Sequence, residues 1–342
     1  MFSVKQIILG SLFSAWHIWR RNDIAILMLH GVMDKESADS SWLPMRKQLS
    51  PNRLDNALKV LKKKYKFIAL GTAVDMLMGN KPIEPHCMVL TFDDGYRNNL
   101  THALPVLVKY GVPATIFLST GHITRREPFW YDRMDYAIQH LRKDHVIHIE
   151  SKEIRFFRND RKALATAFKD LRYTLKDSPD NYASTLHKIH EIVVDLETHA
   201  EKKLSDIFEI DPWTSLMTWD EVKRATQKNV TFGSHTVDHL LLGKLEEHII
   251  REQLLLSKES IENHTGIPCP FLCYPSGNFS PQAMNIAGQC GYTSAVTTIN
   301  GLNHQEKTPL LALFRNSFPS SEQTVSILGG ASGLISYLQK KF

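Results

Sequence analysis

Two stretches of this chain carry residues that could do chemistry together. Met88–Tyr96 reads M-V-L-T-F-D-D-G-Y, with Asp93 and Asp94 adjacent and Gly95 behind them. Two carboxylates in one place can divide a hydrolytic task, one holding a cation and the other taking a proton. Phe232–His239 reads F-G-S-H-T-V-D-H, and its two histidines, His235 and His239, are four residues apart. That interval falls within the His-x3-5-His spacing of zinc sites, and on a helical turn it stacks both imidazoles on one face. Two imidazoles and one carboxylate leave a coordination position open for water. Each stretch alone has a plainer reading. D-D-G is an ordinary turn, and histidines four apart often mark only a solvated helix face. Their joint occurrence, each after a strand-like run, is what points to a site.

The elements that must position these residues follow an alternating pattern. Ile24–Leu29 is a continuous apolar run, a buried strand, and it ends at His30-Gly31. Ser50-Pro51 starts a helix with Ser as cap and Pro at the first position. A short strand near Phe67–Leu70 and a helix near Ala73–Met78 follow. Met88–Phe92 is the central strand, and the turn at Asp93-Asp94 needs the freedom of Gly95 if both carboxylates are to face one cavity. A helix over Asn98–Tyr110, stopped by Gly111, and a strand over Pro113–Ser119 give a strand–helix–strand unit. Thr218–Glu221 starts another helix, and Val230–Phe232 is the strand that delivers the histidines. A helix over Leu245–Asn263, a strand over Phe271–Tyr274, a helix over Pro281–Cys290 and strands at Tyr292–Thr297 and Leu310–Phe318 complete the series. A helix over Val325–Gln339 closes it. This alternation predicts an α/β fold with a (β/α) barrel, whose active site sits at the C-terminal strand ends.

Two regions stand apart. Residues 125–212 are rich in charge and in helical spacing, so they read as a helical insertion. Ser178-Pro179 marks one helix start, and Tyr182, Leu186, Ile189, Val193 and Leu196 one buried stripe. Its opening aromatics, Phe129-Trp130-Tyr131, serve the insertion's own core more readily than a stacking surface for a ligand ring. Its histidines read as surface residues rather than ligands. Asp34–Ser50 is an irregular loop that could line a substrate groove. Residues 1–23 read as an N-terminal amphipathic helix whose apolar patch, within Val4–Trp19, is followed by Arg20-Arg21, expected to pack on the barrel or to touch a membrane surface through residues 1–21. The apolar patch is too short to span a bilayer, and no small-x-small cleavage site is evident. The expected location is therefore the cytoplasm, either free or at the inner membrane. Residues 24–342 form the barrel that the insertion interrupts.

Composition narrows the function classes. The 342 residues carry a net charge of +5 with scattered basic positions, and no basic block with interleaved aromatics argues for nucleic acid. The four cysteines, Cys87, Cys269, Cys273 and Cys290, are too few for a disulfide framework and read as buried thiols.

T-F-D-D-G-Y and S-H-T-V-D-H resemble the first two motifs of polysaccharide deacetylases, the NodB-homology or carbohydrate esterase 4 enzymes. Tyr274-Pro275-Ser276-Gly277 resembles a Y-P-x-G form of the third, found in a permuted-motif subgroup. The resemblance implies a distorted barrel of about seven strands and a hydrolase that removes N-acetyl groups from a saccharide of a bacterial surface polysaccharide or glycolipid. It implies a divalent ion, zinc first, on Asp94, His235 and His239. It makes Asp93 the general base and places substrate or oxyanion contacts at Tyr274, Pro275, Ser276 and Gly277, with a backbone N–H near Ser276 as donor. Met28-Leu29-His30-Gly31-Val32 looks like the subgroup's piece that supplies the general acid, which makes His30 the acid ahead of His304. Two departures matter. Cys273 stands where relatives carry an arginine that supports the base, so another group must orient Asp93. The usual L-x-H motif near the C-terminus is missing. The resemblance leaves open a deformylase, an O-deacetylase, or a non-catalytic metal-containing carbohydrate-binding relative.

Overall fold

The computed structural model describes residues 4–36, 38, 42–149, 151–176, 178 and 182–341. Its strands are β1 Ala25–Leu29, β2 Lys66–Phe67, β3 Cys87–Phe92, β4 Ala114–Leu118, β5 His145–Ile149, β6 Lys152–Phe156, β7 Val230–Ser234, β8 Phe271–Cys273, β9 Ser294–Val296 and β10 Asn316–Ser317. The chain forms two compact units. One comprises Met1–Asp34, Gln48–Thr124 and Met217–Phe342, the other Lys35–Lys47 and Arg125–Leu216.

In the first unit the apolar runs become parallel strands in the order β10-β1-β3-β4-β7-β8-β9, with β2 paired to the start of β3. All six residues of β3 are buried, as a strand covered on both faces requires. The sheet curls. Leu313 bridges to Val296 of β9, while Asn316 and Ser317 pair with Leu27 and Met28 of β1. One segment of chain therefore touches both edges of the sheet, and the result is a distorted barrel.

Register brings the chemical residues together. Leu29 lies beside Phe92, Phe92 beside Ile116, and Ile116 beside Phe232. The backbone of Asp93 donates to Leu29 O at 2.9 Å, and that of His235 to Leu118 O at 2.8 Å. His30, Asp93 and His235 thus emerge from neighbouring strand ends.

Helices of this unit start and stop on local signals. Ser50 accepts from Arg53 N at the head of α2 (the second helix, Pro51–Leu61; α1 is Val4–Trp19). Helix α3 spans Leu70–Leu77 and α4 Leu104–Tyr110, which ends on Gly111 at φ 60°. A π-helical turn, Asn99–Ala103, precedes α4 where the sequence reads as one helix from Asn98. Short α5 is Thr120–Arg125. The C-terminal helix expected over Val325–Gln339 is two helices instead, broken at Gly333 with φ 75°. The strand expected over Leu310–Phe318 shrinks to a 3-10 turn, Leu310–Ala312, and the two residues of β10. Crossing from one sheet edge to the other leaves few residues free to pair.

The second unit holds α6 Trp130–Gln139, α7 Arg161–Lys176 and α8 Tyr182–His199. Met134, Ile138, Phe168, Leu171, Val193 and Leu196 build its core. The stripe read from Tyr182 to Leu196 is the buried face of α8, with Leu186 partly buried. Pro179 of the expected helix start lies outside the described residues. A helix-only reading of this region is wrong in one respect. Strands β5 and β6 pair antiparallel, with Ile147 and Ile149 opposite Ile154 and Lys152. Both segments alternate inward and outward residues, a period-two signal hidden among charges. Phe129 and Tyr131 stack 5.1 Å apart and are buried in this unit. Part of the Asp34–Ser50 segment belongs here too. Trp42 Nε1 donates to Asp211 Oδ1 at 2.9 Å, and Met45 N to Asp135 Oδ2 at 2.7 Å.

All four cysteines are buried and free. Among the described residues no helix is long and apolar enough to cross a membrane.

Gly233 in β7 shows how tightly the barrel is packed near the site. A Cβ there would lie 2.6 Å from the Phe117 ring and 3.0 Å from Phe271 O. Gly233→Ala is expected to destabilise the fold by about 1–3 kcal/mol through overpacking. Denaturant unfolding measures this, and an unchanged midpoint would contradict it.

Candidate active site

The turn after β3 is built by two consecutive left-handed residues, Asp94 at φ 77° and Gly95 at φ 85°. Gly95 alone does not suffice. A non-glycine residue at such φ is uncommon and strained, and here it swings Asp94 toward the second motif. The histidine segment is not a helical turn, contrary to the spacing argument. His235 leaves the end of β7, and Thr236 at φ 65° and His239 at φ 55° fold the following loop back on itself. Gln253 holds that loop. Its side-chain oxygen accepts from Val237 N at 3.1 Å and Asp238 N at 2.8 Å, and its amide donates to Asp238 Oδ2 at 2.7 Å. This gives Asp238 a supporting place in the loop. Gln253 lies on α10, Glu247–Thr265, which follows α9, Trp219–Ala225, and precedes α11, Pro281–Gln289.

The fold brings Asp94, His235 and His239 together. Each histidine's Nε2 stands 3.5 Å from Asp94 Oδ1, and the three residues are close enough to share one ion. Donors held 2.0–2.1 Å from a tetrahedral ion stand about 3.3–3.4 Å apart, so the spacing fits a bound cation with little adjustment. His235 Nδ1 lies 2.8 Å from the carbonyl oxygen of Cys273. With Nδ1–H donating there, the Nε2 lone pair faces the cluster, the usual arrangement for a ligating histidine. Asp94 and His235 are buried, while the His239 side chain is 11% exposed, so the cluster has a way out to solvent.

Among the described residues two other clusters fit less well. In Asp93–His235–Cys273 the carboxylate is already committed to an arginine. In His145–Asp195–His199, His145 Nε2 and Asp195 Oδ2 are 2.7 Å apart, a direct hydrogen bond with no room for an ion between them.

Asp93 is held by Arg315, a residue that the motif reading did not single out. Nη1 donates to Asp93 Oδ1 at 2.7 Å and Nη2 to Oδ2 at 2.8 Å. The rest of the guanidinium is also engaged. Nε donates to Thr297 O at 2.8 Å, Nη1 to Thr91 Oγ1 at 3.0 Å, and Nη2 reaches Cys273 Sγ at 3.2 Å. Arg315 is fully buried. Burial alone would push the Asp93 carboxyl up. The charge and hydrogen bonds of Arg315, with smaller help from His235 and His30, hold it below the usual carboxylate range. Burial pushes the Cys273 thiol up, so the sulfur meets Arg315 as a neutral acceptor. The group that Cys273 cannot supply comes from the other end of the sequence. A signal existed, for a lone arginine in L-L-A-L-F-R-N-S-F is a charge inside an apolar run, and such a charge needs a partner.

His30 and His304 occupy opposite ends of β1. Asn99 Nδ2 donates to His30 O at 2.7 Å, and Asn98 Oδ1 accepts from Val32 N at 3.0 Å, so consecutive asparagines clamp the chain on both sides of Gly31. His304 follows Asn303, which bridges to Ile24 before the start of β1, and its charge bears on Asp23. The length of the strand puts it roughly 15 Å or more from the site.

The third motif forms a tight turn. Ser276 and Gly277 have φ of 54° and 67°, and a Cβ on Gly277 would come within 2.0 Å of Thr298 Oγ1. Tyr274 does not offer its hydroxyl to the cavity. Its ring is buried and its OH donates to Leu311 O at 3.0 Å. The backbone N–H of Tyr274 is spent on Val296 O and that of Gly277 on Tyr274 O. Tyr274 and Gly277 therefore shape the turn instead of donating to a ligand.

Comparison with known proteins bears on the family and the fold. The family model for polysaccharide deacetylase matches residues 80–295. YxkH of Bacillus subtilis (strain 168), itself assigned provisionally to the polysaccharide deacetylases, is 22% identical over 292 residues, 79% of this chain and 72% of its own. Among solved structures, the deacetylase PplD of Streptococcus pyogenes, in complex with acetate, superposes with a TM-score of 0.57 at 18% identity. The match covers 90% of this chain and 98% of that one. IcaB from Ammonifex degensii also gives 0.57, at 17% identity over 91% and 97% of the two chains. At such identities the structural likeness speaks for the fold, and the family model for membership. The chain belongs to the polysaccharide deacetylases, the carbohydrate esterase 4 hydrolases with the NodB homology fold.

Proposed function

We propose that this protein is a metal-dependent de-N-acetylase acting on an N-acetylated sugar of a bacterial surface polysaccharide or glycolipid. One observation carries the reading: Asp94 Oδ1 stands 3.5 Å from two imidazole nitrogens, directly beside an aspartate locked to a buried arginine. Asp94, His235 and His239 would hold the ion, and zinc suits their mixed nitrogen and oxygen donors. When bound, a divalent ion supplies a Lewis acid for the carbonyl oxygen and lowers the pKa of water beside it.

The protein's own groups do the rest. Asp93 takes a proton from the attacking water as its oxygen adds to the amide carbon. Its low pKa keeps it ionised and ready at neutral pH, and the two bonds from Arg315 fix the direction of its free lone pairs. By the family resemblance, a backbone N–H near Ser276 would donate to the oxyanion. His30 gives a proton to the amine nitrogen as the C–N bond breaks, leaving acetate and a free amino sugar.

The Arg315–Asp93 pair also bears on whether the chain has lost turnover. Cys273 in place of an arginine suggests decay only if the base is unsupported, and here the support arrives from another segment. A binding protein has no use for an oriented base.

Three outcomes are expected. Acetate release from an N-acetylated oligosaccharide should vanish on chelation and return with one equivalent of zinc. Undiminished release after chelation would remove the metal from the reaction, and formate or ester-derived acetate as the sole product would move the bond. Arg315→Lys should fold yet lose on the order of 10²-fold in kcat, because a single ammonium cannot hold both carboxylate oxygens. Turnover within two-fold of the parent would detach Arg315 from the base. His30→Ala should abolish turnover while His304→Ala leaves it intact, and the reverse pattern would make His304 the acid.

A further inference from the structure

Helix α1 takes no part in the site, and its two faces differ. Phe13 and Trp16 are buried, and Trp16 Nε1 donates to Ser332 O at 2.9 Å beside the Tyr337 ring at 4.9 Å. Ser332 lies between α12, Thr324–Ala331, and α13, Leu334–Lys341, so α1 is anchored on the C-terminal helices. The other face is exposed: Ile8 is 56% accessible, Leu12 43%, Ile18 69% and Trp19 66%. At about 100° per residue these four, with Ser11 and Ala15, fall within one arc of roughly 120°. Single exposed apolar residues are normal, whereas a continuous stripe of them marks a contact surface.

Charge around the stripe is one-sided. Residues 4–22 and 323–341 contain no aspartate or glutamate. Arg21, Lys340 and Lys341 are exposed, and Tyr337 is 39% accessible beside them. The acid next to α1, Asp23, is buried and paired with Arg20, whose guanidinium lies over the Trp16 and Trp19 rings at 5.7 and 5.2 Å, and the acid before the second segment, Glu322, is exposed and paired with Arg53 at 3.3 Å. An apolar stripe ended by a tryptophan, on segments whose exposed charges are cationic, suits the boundary between acyl chains and anionic headgroups.

We propose that α1 docks this protein on the surface of an anionic lipid bilayer. The helix lies in the membrane plane, Ile8, Leu12, Ile18 and Trp19 enter the acyl boundary, and Arg21, Lys340 and Lys341 meet lipid phosphates. A second copy of the chain is the poorer occupant. Four half-exposed side chains offer roughly 400 Å² of apolar surface, against about 800 Å² per partner in a stable dimer. The inference does not depend on the chemistry of the site.

The test is co-sedimentation of the full-length protein with vesicles of phosphatidylcholine, alone or mixed with phosphatidylglycerol. Binding to the mixed vesicles is expected, weakening as salt is raised. The Ile18→Asn, Trp19→Ser double variant should lose at least ten-fold in partitioning. Replacing Arg21, Lys340 and Lys341 by glutamine should lose about five-fold for each charge removed. Since these side chains are exposed, thermal melting should stay unchanged, which separates lost docking from misfolding. Absence of binding by the parent protein, or equal binding by the double variant, would overturn the proposal. So would a dimer in solution that the double variant dissociates, since the face would then belong to a second copy.

Discussion

A fully buried ion pair between Arg315 and Asp93 is the constraint around which this barrel is arranged. Taking both charges out of water is costly, and only near-ideal geometry offsets that cost. Here it is met by two parallel bonds, and the remaining donors reach Thr297 O, Thr91 Oγ1 and Cys273 Sγ. The arginine sits in the segment that touches both edges of the sheet, between Leu313 and β10. Closure of the barrel and orientation of the carboxylate are therefore one event. Removing either partner would leave a buried charge alone, at about 3–5 kcal/mol.

A second constraint is backbone strain. Among the described residues seven non-glycine positions have positive φ, and four of them, Asp94, Thr236, His239 and Ser276, belong to the three motifs of the site. Each such residue costs about 1–3 kcal/mol and persists only where its surroundings over-determine it. The surroundings are visible. Gln253 holds the histidine loop through three hydrogen bonds, Thr298 crowds the Ser276–Gly277 turn, and Asn98 and Asn99 fix the chain around Gly31. Much of the polar structure near the site thus holds side chains at angles that a relaxed loop would not choose.

The surface tells a separate story. The same α1 that fills a place on the C-terminal helices with Phe13 and Trp16 turns isoleucine, leucine and tryptophan outward. A helix apolar on most of its circumference needs cover on more than one side. The docking proposed above would give that outward face its cover.

The sequence by itself determined the main parallel strands, the order of the motifs and three of the residues that come together, Asp94, His235 and His239. Apolar runs bounded by Gly and Pro have few other ways to fold, and D-D-G and H-T-V-D-H are short local signals. Caps at Ser50 and the stop at Gly111 were legible for the same reason, since each depends on neighbours within four residues. Tertiary structure alone decided the partner of Asp93. Arg315 lies 222 residues away, and no local pattern encodes a bond made when the barrel closes. It also decided the loop path of His235 and His239, because their spacing allows a helix and only the pull of Gln253 and the strained backbone selects the fold-back. The β5–β6 pair was hidden for the opposite reason. Its alternation was present in the sequence, but two short strands with one charged outer face resemble helix surface until they pair.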